Sequence, residues 1–148
     1  MGLKICSLGS GSSGNCVYIA SSTTAVLVDE GLPVSRIEGC LKVLGCPKIP
    51  ALVVTHAHSD HIGQVPAFVR RYNSEVYCAE ESYRELMKKG VPYNRLMRFD
   101  GDFFIGDITV SPFPVSHDVP CLGYGFTAGG SKISVATDIG HVTDKVIG

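Results

Sequence analysis

The chain has 148 residues, enough for one domain with a hydrophobic core. Hydrophobic residues make up 45% and charged residues 18% of it, a balance that excludes an intrinsically disordered chain. The net charge of −1 excludes a general electrostatic attraction for nucleic acid, so an anionic partner would have to be attracted locally, by metal ions or by a basic patch.

The first half of the chain alternates predicted strands with predicted helices. Short apolar runs bounded by polar turns predict strands at 3–9, 16–20, 24–31, 51–55 and 75–79. Apolar residues at helical spacing predict helices at 35–45, 61–72 and 80–90. Asp29 falls at the end of the third strand, and the run "ALVVT" is typical of a strand buried on both faces.

Strands predominate in the second half, in the runs "DFFI", "DITVSPFPVSH", "CLGYGFTA" and "KISVATD". The whole pattern predicts one domain, residues 1–148, of the α/β or α+β class, with a mixed sheet covered by helices. Because the sequence stops soon after "KISVATD" with no closing helix, we expect a chain truncated at its C-terminus. An unpaired edge on that last strand would favour a homo-oligomer.

The cysteines and the termini indicate the compartment. No CxxC pair is present, which argues against a zinc knuckle, and although an even number of cysteines allows disulfides, most of them lie in apolar runs. No signal peptide or membrane-spanning run is present, so we expect a reduced, cytoplasmic protein with no membrane partner. The six cysteines are Cys6, Cys16, Cys40, Cys46, Cys78 and Cys121.

The segment "THAHSDH", residues 55–61, holds three of the five histidines. His56 and His58 are two residues apart at the end of an extended segment, where alternate side chains point the same way, so that two imidazoles can converge on one ion. Asp60 and His61 fall where the next helix begins and can serve a neighbouring ion. Nitrogen and carboxylate ligands suit Zn²⁺, Mn²⁺ or Fe.

The alternative is a polar turn that caps the following helix. Thr55, Ser59 and Asp60 are residue types that favour an N-cap position. Histidine is not such a residue, and three histidines at this spacing are hard to explain by capping. We therefore favour the metal-binding interpretation.

The segment "HAHSDH" resembles the HxHxDH signature of the metallo-β-lactamase superfamily at every defined position. The runs "LVDEG", "PVSHD" and "VATD" follow the order and spacing of the family's other site residues. The opening "SLGSGSSGN" together with "VDEGL" is similar to one branch, the YycJ/WalJ-like cytoplasmic hydrolases.

This resemblance implies an αββα sandwich, of which the chain would form the larger, N-terminal part, and a site for two divalent ions, with zinc the first choice and Mn or Fe as alternatives. It implies that Asp29 orients the cluster without binding metal. The family's last metal-binding histidine has no counterpart here, since His141 fits an ordinary loop residue better, and this puts the second ion in question. The implied ligands are His56, His58 and His117 for the first ion, Asp60 and His61 for the second, and Asp138 as a bridge between both.

Three of these segments have simpler interpretations when taken alone. His117 follows Pro112 and Pro114 at the end of an edge or irregular strand, where a histidine is often without a special role. Asp138 would by itself be a turn residue. The loop "GSGSSGN" has the composition of a phosphate-binding loop but lacks a P-loop pattern, so that a flexible turn is favoured.

The predicted function is that of a metal-dependent hydrolase whose nucleophile is a metal-bound hydroxide, with Asp60 orienting the water or taking its proton. The pattern GxSxG is absent, which argues against covalent catalysis. The resemblance favours a phosphodiesterase or nuclease acting on nucleic acid. Hydrolysis of a small ester, thioester or lactone and a non-catalytic metal-binding domain remain as alternatives. Candidate contacts to a nucleic-acid backbone are Arg70, Arg71, Lys88, Lys89, Arg95 and Arg98.

Overall fold

A computed structural model describes residues 2–11, 13–115, 122–136 and 141–143. Residues 141–143 are described as backbone only. His117, Asp118, Cys121 and Asp138 lie outside these ranges. The described helices are α1 (Val34–Leu44), α2 (Ser59–Ile62), α3 (Val65–Tyr72) and α4 (Glu80–Lys88), with a 3₁₀ turn at Tyr93–Arg95. The described strands are β1 (Lys4–Gly9), β2 (Cys16–Ala20), β3 (Ala25–Val28), β4 (Ala51–Val53), β5 (Val76–Cys78), β6 (Leu96–Arg98), β7 (Phe103–Ile105), β8 (Ile108–Pro114), β9 (Leu122–Ala128), β10 (Ser131–Ala136) and β11 (His141–Thr143).

The strands form two sheets. The first has the order β1-β2-β3-β4-β5-β6, with β1 to β3 antiparallel and β3 to β6 parallel. Its parallel half follows from the strand–helix–strand pattern of the sequence, since parallel neighbours need a crossover. The second sheet, β11-β10-β9-β8-β7, is antiparallel throughout.

The alternation of side chains along β2 and β3 creates two cores. Val17 and Val26 point to one face of the first sheet and pack against the second sheet, whose Phe126 is fully buried there. Tyr18 and Leu27 point to the other face and pack beneath the helices. Because β2 and β3 are buried on both faces, every residue in them is buried and almost all are apolar. The order of layers is therefore helices, first sheet, second sheet, which are three of the four layers of the predicted αββα sandwich.

Several boundaries differ from the sequence prediction. The helix predicted at 61–72 is two helices, α2 and α3, separated at Gly63 and Gln64. Pro66 lies at the second position of α3. Because proline has no backbone N–H, it cannot extend the helical hydrogen bonds of α2. Strand β6 was not predicted, because Leu96 and Met97 are followed directly by Arg98 and no apolar run marks the strand.

The C-terminal strands also correct two expectations. Strand β10, in the run "KISVATD", pairs with β9 on one side and β11 on the other, so it does not form an edge. His141 lies in β11, where its backbone pairs with that of Ala136 in β10, so it is not part of a loop.

Two further observations concern the described residues alone. The cysteines among them, Cys6, Cys16, Cys40, Cys46 and Cys78, form no disulfide. No helix in the described ranges is long and apolar enough to cross a membrane.

Tyr124 of β9 links the two sheets. Its hydroxyl is buried and donates to the carbonyl oxygen of Val54, 2.6 Å away. Nearby, the Leu122 N–H donates to the Thr55 carbonyl oxygen at 2.9 Å. The second sheet thus supports, from behind, the segment that leads into the histidine cluster.

We predict that Tyr124→Phe lowers the free energy of unfolding by about 1–2 kcal/mol, because it leaves a buried carbonyl without this donor. Denaturant unfolding would measure the loss. Tyr93→Phe is the matched control, since Tyr93 is 72% exposed. Equal stability of the wild type and Tyr124→Phe would show that the hydroxyl does not contribute to joining the sheets.

Candidate metal centre

The histidine cluster lies at the edge where the parallel strands of the first sheet end. Asp29 follows β3, and Thr55 and His56 follow β4, its parallel neighbour. The carboxyl ends of parallel strands meet at one edge, which is where open sheets of this kind place their ligands. His56 is buried at 1% exposure and His61 at 4%, whereas His58 is exposed.

The first pair of side chains is His56 and His58. The Nε2 atom of His56 lies 3.0 Å from the Nδ1 atom of His58, and the two rings meet edge to face. Two nitrogens that bind one tetrahedral zinc ion lie about 3.3 Å apart, so this pair fits a shared cation. The prediction from alternating side chains is confirmed to the extent that the two imidazoles converge.

The second pair is Asp60 and His61. The Nε2 atom of His61 lies 3.8 Å from an Asp60 carboxylate oxygen, and the His61 ring lies 4.2 Å from that of His56, between ring centres. Asp60 and His61 belong to α2 and therefore approach from another backbone direction. A nitrogen and a carboxylate oxygen at this spacing can bind a second cation beside the first.

Asp29 joins both pairs. Its carboxylate accepts from the Thr55 N–H at 2.8 Å, from the Thr55 hydroxyl at 2.7 Å and from Nδ1 of His61 at 2.6 Å. Its backbone is left-handed, with φ of 64°, a conformation that aspartate adopts more readily than most residues. The predicted contact between Asp29 and the cluster loop is present.

These hydrogen bonds fix the protonation of two imidazoles. The single Thr55 hydroxyl hydrogen goes to Asp29, so the 3.1 Å contact between this hydroxyl and Nδ1 of His56 requires an N–H on the histidine. His61 likewise has its hydrogen on Nδ1, toward Asp29. In the neutral rings, both Nε2 atoms then carry the lone pair that a metal ion needs.

The capping alternative does not describe this loop. The residue at the N-cap of α2 is His58, and its side chain makes no capping hydrogen bond. The Thr55 hydroxyl is directed to Asp29 instead.

The described residues alone do not bring three His, Cys, Asp or Glu side chains to one ion. His117 and Asp138, the other implied ligands, lie outside the described ranges. The donor set that is described, imidazole nitrogens with a carboxylate, is one that suits zinc and its neighbours.

Most of the candidate phosphate contacts lie away from the cluster or have protein partners. Arg70 and Arg71 lie in the last turn of α3, and Lys88 and Lys89 lie at the C-terminal end of α4, so these four are far along helices that start at the site edge. Arg98 ends β6 at the site edge itself. The ion pairs are Arg71–Glu38, Lys88–Glu85 and Arg98–Glu80, and Arg95 donates to the Asn73 carbonyl oxygen.

The sequence prediction missed two residues beside the cluster, Asn15 and Glu30. Asn15 closes the loop "GSGSSGN" and contacts Asp60. Glu30 is fully buried, and its Oε1 accepts from the Leu32 N–H at 2.9 Å. Its Oε2 has no hydrogen-bond partner among the described residues. The one signal in the sequence for Glu30 was its position next to Asp29, directly after the apolar strand β3.

Burial raises the pKa of Glu30 from its ordinary 4.5 to about 7, and the hydrogen bond from Leu32 offsets part of that rise. Since the folded pKa lies above the unfolded one, the folded state keeps the proton to higher pH. The stabilising contribution of the protonated carboxyl is complete below about pH 4.5 and is lost as pH rises through 7.

We predict that Glu30→Gln, which resembles the protonated acid, removes this loss and stabilises the protein at pH 8 by up to roughly 3 kcal/mol relative to wild type. Denaturant unfolding at pH 5 and pH 8 would measure it. The matched control is Glu81→Gln, at an exposed position on α4. The difference in free energy of unfolding between Glu30→Gln and the wild type should depend on pH. An equal difference at pH 5 and pH 8 would contradict the raised pKa of Glu30.

Comparisons with known proteins identify the family of this chain. Residues 9–146 match the sequence pattern of the metallo-beta-lactamase superfamily. The whole chain is 35% identical to the exodeoxyribonuclease YycJ of Bacillus anthracis and 32% identical to the exodeoxyribonuclease WalJ of Streptococcus pneumoniae strain D39. It spans 59% and 58% of the lengths of those two relatives.

Solved structures share the fold. The metallo-beta-lactamase fold protein YhfI of Bacillus subtilis superposes with a TM-score of 0.72 at 17% identity, over 89% of this chain and 61% of that one. A diphosphatase of the PhnP family superposes with a TM-score of 0.67 at 22% identity, over 88% and 64%. The predicted sandwich and the likeness to the YycJ/WalJ-like branch are both confirmed, and the chain belongs to the metallo-β-lactamase superfamily.

Proposed function

We propose that the chain is a metal-dependent hydrolase of phosphodiesters, a nuclease acting on nucleic acid in the cytoplasm. The observation that carries the proposal is the pair of imidazole nitrogens of His56 and His58, 3.0 Å apart, beside His61 and Asp60. That nucleic acid is the substrate is supported by the relatives named exodeoxyribonucleases.

The proposed ligand set is the one that the family resemblance implies. His56 and His58, with His117, would hold the first ion, and Asp60 and His61 would hold the second. Asp138 would contribute its carboxylate to both. When bound, the ions, with zinc as our first choice, supply Lewis acidity that activates water and neutralises charge on the phosphodiester.

The protein's own residues orient this centre. Asp29 keeps the proton of His61 on Nδ1, and through Thr55 it does the same for His56, so that both Nε2 atoms face the site. Asp60 is the one partly exposed carboxylate of the described cluster, with 33% of its side chain accessible. It is therefore placed both to bind an ion and to accept a proton from water.

We predict that purified protein carries zinc, manganese or iron at one equivalent or more per chain. Because His56→Ala and His58→Ala each remove a nitrogen ligand, both should lower metal content and abolish the cleavage of DNA. Elemental analysis and a labelled-DNA assay would measure these effects, with Asp100→Ala, at an exposed loop position, as the control.

Two results would contradict the proposal. Metal content unchanged in both histidine variants would exclude the cluster as the metal site. Metal-dependent hydrolysis whose rate at limiting substrate does not weaken with added salt would exclude a polyanionic substrate and favour a small neutral ester or lactone.

For Asp29 we predict that Asp29→Asn lowers metal affinity by about 10–100-fold, as loss of an orienting partner does. The amide has one acceptor oxygen where the carboxylate has two, so it cannot accept from the Thr55 N–H at one oxygen and from the Thr55 hydroxyl and His61 at the other. Metal titration by calorimetry would measure the affinity, and Asp100→Asn is the matched control. An affinity equal to that of the wild type would make Asp29 an ordinary turn residue.

A further inference from the structure

We infer that Asn15 is a positioning residue that holds the carboxylate of Asp60 in its metal-binding orientation and thereby sets the affinity for the second ion. This rests on the proposed function, since it assigns Asp60 to that ion. Asn15 lies at the end of the loop "GSGSSGN" and is only 7% exposed.

The amide of Asn15 joins its own loop to α2. Its Nδ2 donates to Asp60 Oδ2 at 3.2 Å, to the Asp60 carbonyl oxygen at 3.1 Å and to the Gly11 carbonyl oxygen at 2.9 Å. Its Oδ1 accepts from the Gly11 N–H at 3.1 Å. The side chain thus closes the loop and contacts the Asp60 carboxylate with the same group.

The orientation of this amide is determined by its surroundings. The nitrogen faces three oxygen acceptors, whereas the oxygen faces the one N–H donor. A flipped amide would place its oxygen against three oxygens, so the donor necessarily faces Asp60.

The backbone keeps Asn15 in register with Asp60. The Asn15 N–H donates to the Asp60 carbonyl oxygen at 2.8 Å, and the Asn15 carbonyl accepts from the Gly31 N–H at 3.0 Å. A Cβ atom on Gly31 would lie 2.0 Å from the Asp60 carbonyl oxygen, and one on Gly14 would lie 2.5 Å from that of Gly31. Only residues without side chains let the three segments approach this closely.

The need for a positioning donor follows from the exposure of Asp60. A third of its side chain is accessible, so without a partner the carboxylate would sample several rotamers, and ordering it would weaken binding. A neutral N–H donor selects one rotamer without adding a positive charge that competes with the metal ion.

The test is a calorimetric titration of metal-free protein with Zn²⁺, comparing wild type, Asn15→Ala and Asn15→Asp. Asn15→Asp keeps the shape and the acceptor for Gly11 but replaces the donor with an oxygen that repels Asp60. Both variants should bind the second ion about 10–100-fold more weakly, with the first unchanged. Ser13→Ala, at an exposed position on the same loop, should behave as wild type.

A metal-free measurement accompanies the titration. The loss of Tm caused by Asn15→Ala should be smaller in an Asp60→Ala background, because part of its contact is already absent there. Two-step binding with unchanged affinities in both Asn15 variants, or Tm losses that simply add, would overturn the positioning role. If wild type bound no zinc, the proposed function would fail, and the Tm comparison would still decide whether Asn15 holds Asp60.

Discussion

The buried carboxylate of Asp29 is the interaction on which the site depends. It accepts three hydrogen bonds, two from Thr55 and one from His61, and it is fully excluded from solvent. Three donors offset much of the cost of removing a carboxylate from water. In return, they determine which nitrogen of His56 and of His61 is protonated, so one side chain orients ligands for two neighbouring ions.

The fold makes this contact possible because β3 and β4 are parallel neighbours. Their carboxyl ends meet, so that Asp29 and Thr55 are adjacent although they are 26 residues apart in the chain. The loop before β2 reaches the same edge, where the Asn15 N–H donates to the Asp60 carbonyl oxygen. The lack of a side chain on Gly31 leaves room for this contact. The strands thus supply rigid positions, and the loops supply the polar groups that those positions bring together.

The sequence predicted these features where local periodicity carries information. Period-two spacing correctly predicted that His56 and His58 converge, and apolar runs predicted the strands that hold Asp29 and Thr55. Contacts between segments that are distant in the chain leave no periodic pattern in the sequence. The bond from Asn15 to Asp60 depends on a loop of glycine and serine, residues that predict only a turn. The break at Gly63 was missed because the apolar spacing continues through it.

Asp29 and Glu30 are adjacent buried carboxyl groups that differ in their hydrogen bonding. Both are fully buried, but among the described residues Asp29 accepts hydrogen bonds from Thr55 and His61, whereas Glu30 accepts one, from Leu32. Burial raises the pKa of Glu30 because one hydrogen bond does not compensate for removing its carboxylate from water. Its backbone still bonds to His61 and Gln64, so Glu30 fixes the path of α2 while Asp29 orients the ligands.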